Sequence, residues 1–257
     1  MMKPLIRTAL LSSISLLPLV VSAESPPAPP AEDGSTDKSS LISEKTLTTL
    51  TQLLQGRKPD RISPSPIPGF AEVEYGSTVV YVNDQAGFLI SGQVIDLKTG
   101  KNLTAERKQE IAAKNLEKLS PDDAILFAPK GETKHTITVF TDVDCPYCRK
   151  LHNEVPKLNE AGIAVRYLLF PRAPKGAPSY DKAVSVWCAE DRAEALTKAK
   201  AGEDIPKANC PNPIEKNVEI GHSFGVSGTP AIVLENGKMI PGYRPADRMI
   251  KLIEKNS

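Results

Sequence analysis

The chain has few of the residues that build metal centres, and no excess of either charge. Its 257 residues include three histidines and four cysteines, with 32 basic against 31 acidic residues. Zinc would need a second cysteine or histidine pair near the first, and only one C-x-x-C is present, Cys145 to Cys148. Covalent haem attachment would need a histidine after Cys148, and Arg149 stands there. Without a basic excess, nucleic acid and anionic membrane surfaces are excluded as partners. Long apolar runs are also missing. The longest, residues 8–21, is too short to span a bilayer, contains Ser12, Ser13, Ser15 and Pro18, and runs into acidic, proline-rich chain.

That run instead has the order of an export leader. Lys3 and Arg7 precede it, and Val21-Ser22-Ala23 offers small residues for cleavage before Glu24. Residues 1–23 are thus expected to be a signal peptide. Losing them leaves thirty basic against thirty-one acidic residues, no cysteine at the new N-terminus for lipid attachment, and all four cysteines in an oxidising compartment. No stable membrane insertion is expected of the mature chain. Residues 24–40, rich in Pro, Ala, Ser and Asp without periodicity, are expected to be a disordered linker.

From 41 to 54 the apolar residues Leu41, Ile42, Leu47, Leu50, Leu53 and Leu54 trace one helical face that ends at Gly56. A proline-rich bend over 59–69 follows. Four β-like runs then occupy 71–75, 78–82, 88–91 and 93–97, separated by glycines and Asn83-Asp84. One helix on a four-run meander, residues 41–103, is marginal as a lone core and is expected to dimerise or to pack on something. Thr104 is expected to cap a helix reaching Leu119 with a narrow apolar stripe, a connector over 104–121 that Ser120-Pro121 ends.

The segment 122–257 carries the chemistry. Thr136 to Phe140 alternates and is β-branched, so it reads as a strand. A short loop then delivers Cys145 to the first turn of a helix, where Pro146 sits without loss because that turn has no use for its N–H. Two intervening residues, Pro146 and Tyr147, put both sulfurs at one helix end, close enough for a small, reducible disulfide. The positive helix terminus favours a thiolate on Cys145, in the roughly 3.5–7.5 pKa range of such thiols. Further patterns predict strands over 124–127 and 163–170 and a motif helix that bends at or before Pro156. Helical patterns over 180–200 and 214–224, a hairpin through Asn236-Gly237 and a terminal helix over 246–255 complete the chain.

Strand, active helix, strand, helices, hairpin, helix is the thioredoxin order with a helical insertion. Several stretches sharpen that likeness: residues 134–142, Cys145-Pro146-Tyr147-Cys148, Arg166-Tyr167-Leu168, Phe170-Pro171-Arg172, Trp187-Cys188-Ala189 and Gly225-Val226-Ser227-Gly228-Thr229-Pro230-Ala231. They resemble the DsbC/DsbG family of bacterial periplasmic disulfide isomerases, closely over 134–255 and only in layout over 41–119. Pro146-Tyr147 is the pair familiar from DsbG, whereas Cys188 and Cys210 point to DsbC.

The resemblance implies an α+β N-terminal dimerisation domain joined by a helix to an α/β thioredoxin-fold domain with a helical insertion. It further implies a V-shaped homodimer in the periplasm. Thr229 and Pro230 resemble the cis-proline loop that faces the catalytic cysteines, its backbone free to pair with an extended substrate segment. Cys188 and Cys210 are expected to form a structural disulfide whose closed loop of 23 residues gives about 3.4 kcal/mol by chain entropy; a second redox centre is the alternative. His135, His152 and His222 have no telling partners and are expected to be structural or exposed. Asp142 and Asp144, just before the motif, are expected to be solvated; raising the Cys145 pKa is the alternative.

The expected chemistry is attack by Cys145 on non-native disulfides of misoxidised exported proteins, giving a mixed disulfide. A substrate thiol then completes isomerisation, or Cys148 releases a reduced substrate and leaves an oxidised motif for a DsbD-type membrane reductant to reduce. No cofactor is implied. The alternatives are a DsbA-like oxidase, which should be monomeric, and a chaperone-like binder of unfolded chains that would survive Cys145→Ser.

Overall fold

Two sheets organise the computed structural model, which describes residues 41–256. The expected leader and linker lie outside the described residues. Among those described, no helix is long and apolar enough to cross a membrane.

The first sheet has four antiparallel strands in sequence order, β1 (Arg61–Pro64), β2 (Ala71–Tyr75), β3 (Thr78–Asn83) and β4 (Phe88–Ile90). Helix α1 (Glu44–Leu53) starts at Ser43, whose hydroxyl accepts from the Thr46 amide and donates to Asp84. Its Leu50, together with Ile42, packs on Ile62, Val73, Tyr75, Val80 and Val82. The strand count matches the sequence reading, but its membership does not. Residues 93–97 form no strand and make only an isolated bridge from Ile95 to Asn102, while β1 lies inside the expected proline-rich bend. Pro64 is tolerated because β1 is an edge strand.

Helix α2 (Leu103–Glu117) is capped by Asn102 Oδ1, which accepts from the Ala105 amide, and not by Thr104. Thr104 is buried, its hydroxyl bonded to Tyr81 and accepting from the Val94 amide. A 3-10 turn, Pro121–Asp123, closes the connector.

The second sheet has the order β5-β7-β6-β8-β9 from β5 (Ile125–Phe127), β6 (His135–Thr141), β7 (Ile163–Leu169), β8 (Ala231–Val233) and β9 (Met239–Pro241). Only β6 and β7 run parallel. Both faces are covered: Ile137, Val139, Val165 and Tyr167 enter one core, Phe140 and Leu168 the other. Helix α3 (Pro146–Asn153) follows β6 and breaks at Glu154 before α4 (Val155–Glu160), where Pro156 cannot supply an amide hydrogen bond. The Glu154 carboxylate fills a different role, accepting from Tyr243 Oη and the Ala246 amide. It thereby anchors the start of α8 (Ala246–Lys255).

The single helical pattern expected over 180–200 is two helices, α5 (Pro178–Trp187) and α6 (Arg192–Ala201), with Asp191 capping the second through the Glu194 amide. Helix α7 (Ile214–Ser223) crosses the sheet at Gly221, where any Cβ would overlap the Phe170 ring. Gly237, at φ +82°, lets the β8–β9 turn lie against the backbone of Gln109 and Ala113 on α2.

Candidate active site

Cys145 is the N-cap of α3, in extended conformation, so its side chain stands at the end where the first helical amides are unpaired. The Cys145 side chain contributes no capping hydrogen bond, and Pro146 occupies the first turn. Cys145 and Cys148 are free thiols and both are buried. Tyr147 between them is 58% exposed, with Lys150 Nζ 5.4 Å from its ring centre.

The loop before β8 closes over this end. The Thr229-Pro230 peptide is cis, and the Cys145 thiol donates to the Thr229 carbonyl at 3.3 Å. Thr229 Oγ1 is buried and no protein group competes for its O–H, which leaves it available to the sulfur. Burial opposes ionisation of Cys145. Hydrogen bonds from the Thr229 side chain, from Cys148 and from the Tyr147 amide outweigh it and leave the thiol pKa below its ordinary value. Cys148 moves the other way: burial dominates and raises its pKa, against the charge of Lys200 and hydrogen bonds from the Asp142 backbone and Thr141. The two sulfurs are therefore unequal. The thiol more readily ionised is Cys145, and burial favours the protonated form of Cys148.

Asp142 and Asp144 are not solvated as the sequence reading had them. Asp142 is 2% exposed; its Oδ1 accepts from the Asp144 amide at 2.8 Å, and its Oδ2 from the amide and Nε of Arg172 at 3.0 and 3.2 Å. Asp144 is half-buried and pairs with Lys182 at 2.6 Å and Arg149 at 3.1 Å. The two carboxylates fasten the β6–α3 loop to the chain after β7 and to α5. Their charges are matched by cations.

Cys188 and Cys210 form a disulfide, with 5.7 Å between Cα atoms, tying the C-cap of α5 to the segment after α6. His152 is buried, with Nδ1 hydrogen-bonded to Tyr167 Oη and Nε2 to Thr197 Oγ1. Burial, reinforced by Lys200, pushes its pKa down to about 4, so it is a neutral structural ring at physiological pH. His222 is exposed and His135 pairs with Glu235 at 3.5 Å. Among the described residues no cluster of His, Cys, Asp and Glu is arranged to hold a metal ion.

Sequence reasoning gave no role to Lys200, Arg172 or Thr141. Lys200 sits in an alternating Lys-Ala stretch that reads as a solvated helix face, and nothing local announces that its head points inward. Arg172 follows Pro171 in a loop, and its partner Asp142 is thirty residues away.

Comparison with known proteins gives this geometry a lineage. Residues 123–257 match the model of a thioredoxin-like domain, and residues 28–105 that of a disulfide bond isomerase protein N-terminal domain. The thiol:disulfide interchange protein DsbC of Escherichia coli K12 is 35% identical over 201 residues, which is 78% of this chain and 84% of that protein. DsbC of Dickeya dadantii is 36% identical over 208 residues, 80% of this chain and 84% of its own length. A crystal structure of a disulfide interchange protein from Neisseria gonorrhoeae is 33% identical and covers 54% of this chain and 98% of its own, at a TM-score of 0.49. Identity above 30% that extends over more than four-fifths of these relatives means that the chain belongs to the DsbC family of thiol:disulfide interchange proteins.

Proposed function

We propose that the protein is a periplasmic disulfide isomerase and reductase in which Cys145 attacks non-native disulfides of exported proteins and Cys148 resolves the mixed disulfide. The observation that carries this reading is the unequal pair at the N-terminus of α3, an activated sulfur beside the Thr229-Pro230 loop and a thiol-stabilised one behind it. Substrate binds as an extended segment along the Thr229 backbone, bringing its disulfide over Cys145. A client thiol then displaces Cys145 and reshuffles the bond, or Cys148 closes on Cys145, and a DsbD-type membrane reductant restores the dithiol. Residues 1–23 act as the cleaved export leader and 24–40 as a linker.

The N-terminal unit, residues 41–103, serves as a homodimerisation domain, with 104–121 as the arm to the catalytic domain at 122–257. Strand β4 supports that assignment. Among the described residues it is the sheet edge with no strand on its outer side, and Phe88, Leu89 and Ile90 are 66%, 40% and 43% exposed, with Ile95 and Leu97 exposed a few residues on. An exposed apolar edge of this kind is a template for strand addition by a second copy.

The test is substitution of each thiol in an assay on a scrambled multi-disulfide protein. Cys145→Ser is expected to abolish activity and Cys148→Ser to retain part of it while trapping mixed disulfides. Equal loss from both, in folded protein, would leave cycles of reduction and reoxidation as the only route. Full activity in Cys145→Ser would favour a chaperone-like binder.

A further inference from the structure

The two-residue turn between β2 and β3 leaves the N-terminal sheet and ends on the catalytic domain of the same chain. There the Ser77 amide donates to the Ser223 carbonyl at 2.5 Å. Ser223 is the last residue of α7, where helical carbonyls have no partner within the helix. The approach is close on both sides. A Cβ at Gly76, which has φ +61°, would lie 2.9 Å from the Ser223 carbonyl oxygen and 3.1 Å from its Cα. A Cβ at Gly225, with φ +77°, would lie 3.3 Å from Ser77 Oγ. Ser77 is accordingly buried although it stands in a turn, and the Asp60 carboxylate steadies that turn by accepting from the Gly76 amide.

Thr229 lies six residues beyond Ser223, and the path between them has little slack. Helix α7 is closed by Gly225, whose amide donates to the His222 carbonyl, and by Val226, whose amide donates to the Gly221 carbonyl, both at 2.9 Å. Val226 then enters the core with Phe140, Phe224 and the α2 residues Ala112 and Leu116. At the far end the Pro230 carbonyl accepts from the Gly242 amide at 2.8 Å, and Ala231 pairs with Phe140. Between these anchors Ser227 and Gly228 are exposed. The loop is held by its ends.

We propose that Gly76 and Ser77 are positioning residues for disulfide exchange: docked on Ser223, their turn fixes the end of α7 and so holds the Thr229-Pro230 loop against Cys145. This rests on the reading of that loop as the client platform. With the turn docked, the Thr229 carbonyl stays 3.3 Å from Cys145 Sγ and its backbone is preset for an extended client segment. With the turn released, the Ser223 carbonyl faces solvent and the loop, with glycines at 225 and 228, samples other positions. A client must then select the docked position, so apparent affinity falls by the docked fraction while exchange in the bound complex is unchanged. The N-terminal sheet thereby has a task within its own chain, separate from any pairing with a second copy.

The experiment measures reduction of a disulfide-bonded peptide, long enough to lie along the loop, over a range of peptide concentrations by full-length variants. Gly76→Ala places a Cβ against Ser223, and Ser77→Pro removes the donor amide. Each is expected to raise KM about three- to tenfold, the factor carried by one backbone hydrogen bond, and to leave kcat unchanged. Hydrogen exchange read by mass spectrometry is expected to speed up over residues 223–231 in both. Gly56→Ala is the control: it puts a side chain at φ +86° in the same N-terminal unit, where nothing lies within 4 Å, and is expected to keep the wild-type KM. A wild-type KM and exchange pattern in either folded variant overturns the proposal, and so does an equal rise in Gly56→Ala, because strain anywhere in the unit would then suffice. In the wild type the Ser77 amide, read by NMR, is expected to resist exchange; rapid exchange there overturns the proposal without any variant. If Cys145→Ser still reduces the peptide, the reading of the site has failed instead.

Discussion

Acidification should weaken the fold through one ring, and the structure sets how much. His152 has a folded pKa of about 4 against 6.5 when unperturbed, first because it is buried and then because Lys200 lies close by. Between those values the unfolded chain binds a proton that the folded chain refuses, so stability rises with pH across the window and is lost as pH falls from 6.5 toward 4. At pH 7 the effect is nearly absent. At pH 5 it reaches about 2 kcal/mol, and it saturates near 3 kcal/mol below pH 4. Urea unfolding at pH 7 and pH 5 measures it, with His152→Gln as the comparison because Gln keeps a hydrogen-bonding group beside Tyr167 and Thr197 without titrating. The low pKa of Cys145 works in the same direction, since a depressed acid also loses its stabilisation as pH falls, and that contribution is common to both proteins. The expected result is a difference between the two pH values larger by about 2 kcal/mol in wild type than in the variant. Equal pH dependence in the two would mean that the ring is hydrated or protonated in the fold, and the argument from burial would fail.

The catalytic half of the chain was legible because its signals are local. A β-branched alternating run leading into Cys145-Pro146-Tyr147-Cys148 fixes strand, loop and helix in fifteen residues, and β6 and α3 lie where that pattern puts them. The disulfide between Cys188 and Cys210 likewise needed only the remaining pair of cysteines. What escaped was decided by tertiary contacts. Residues 93–97 are as β-prone as 88–90, yet Val94 is taken up by the Thr104 hydroxyl and the Leu103 amide, which leaves no partner strand for the run. Thr104 satisfies every local rule for a helix cap, but Tyr81 of β3 claims its hydroxyl. Asp142 reads as part of a polar loop until Arg172 arrives beside it, and Lys200 shares a surface-like composition with Lys198, which does face outward to Glu194. Local pattern reports which face a residue shares. It does not report what the rest of the chain brings to that face.

Three further outcomes are expected. Replacing both Cys188 and Cys210 by Ser should lower stability by about 2–5 kcal/mol and leave the glutathione reaction of the motif unchanged, measured by urea titration and quenched mass spectrometry; two free thiols at these positions in the purified protein would remove the structural role. Converting the exposed Leu89 of β4 to Lys should shift sedimentation from dimer toward monomer without changing the far-ultraviolet circular dichroism, because the charge is introduced at a strand edge and not in a core. The same variant should then separate two activities. Reduction of a small disulfide needs only the end of α3 and the Thr229-Pro230 loop, whereas isomerising a misfolded protein needs the client held between successive attacks, and a second arm raises the effective concentration of a thiol near the same client. Leu89→Lys is thus expected to reduce glutathione disulfide at the wild-type rate and to lose most refolding of a scrambled substrate, and a monomer that refolds the scrambled protein at full rate would show that one arm suffices.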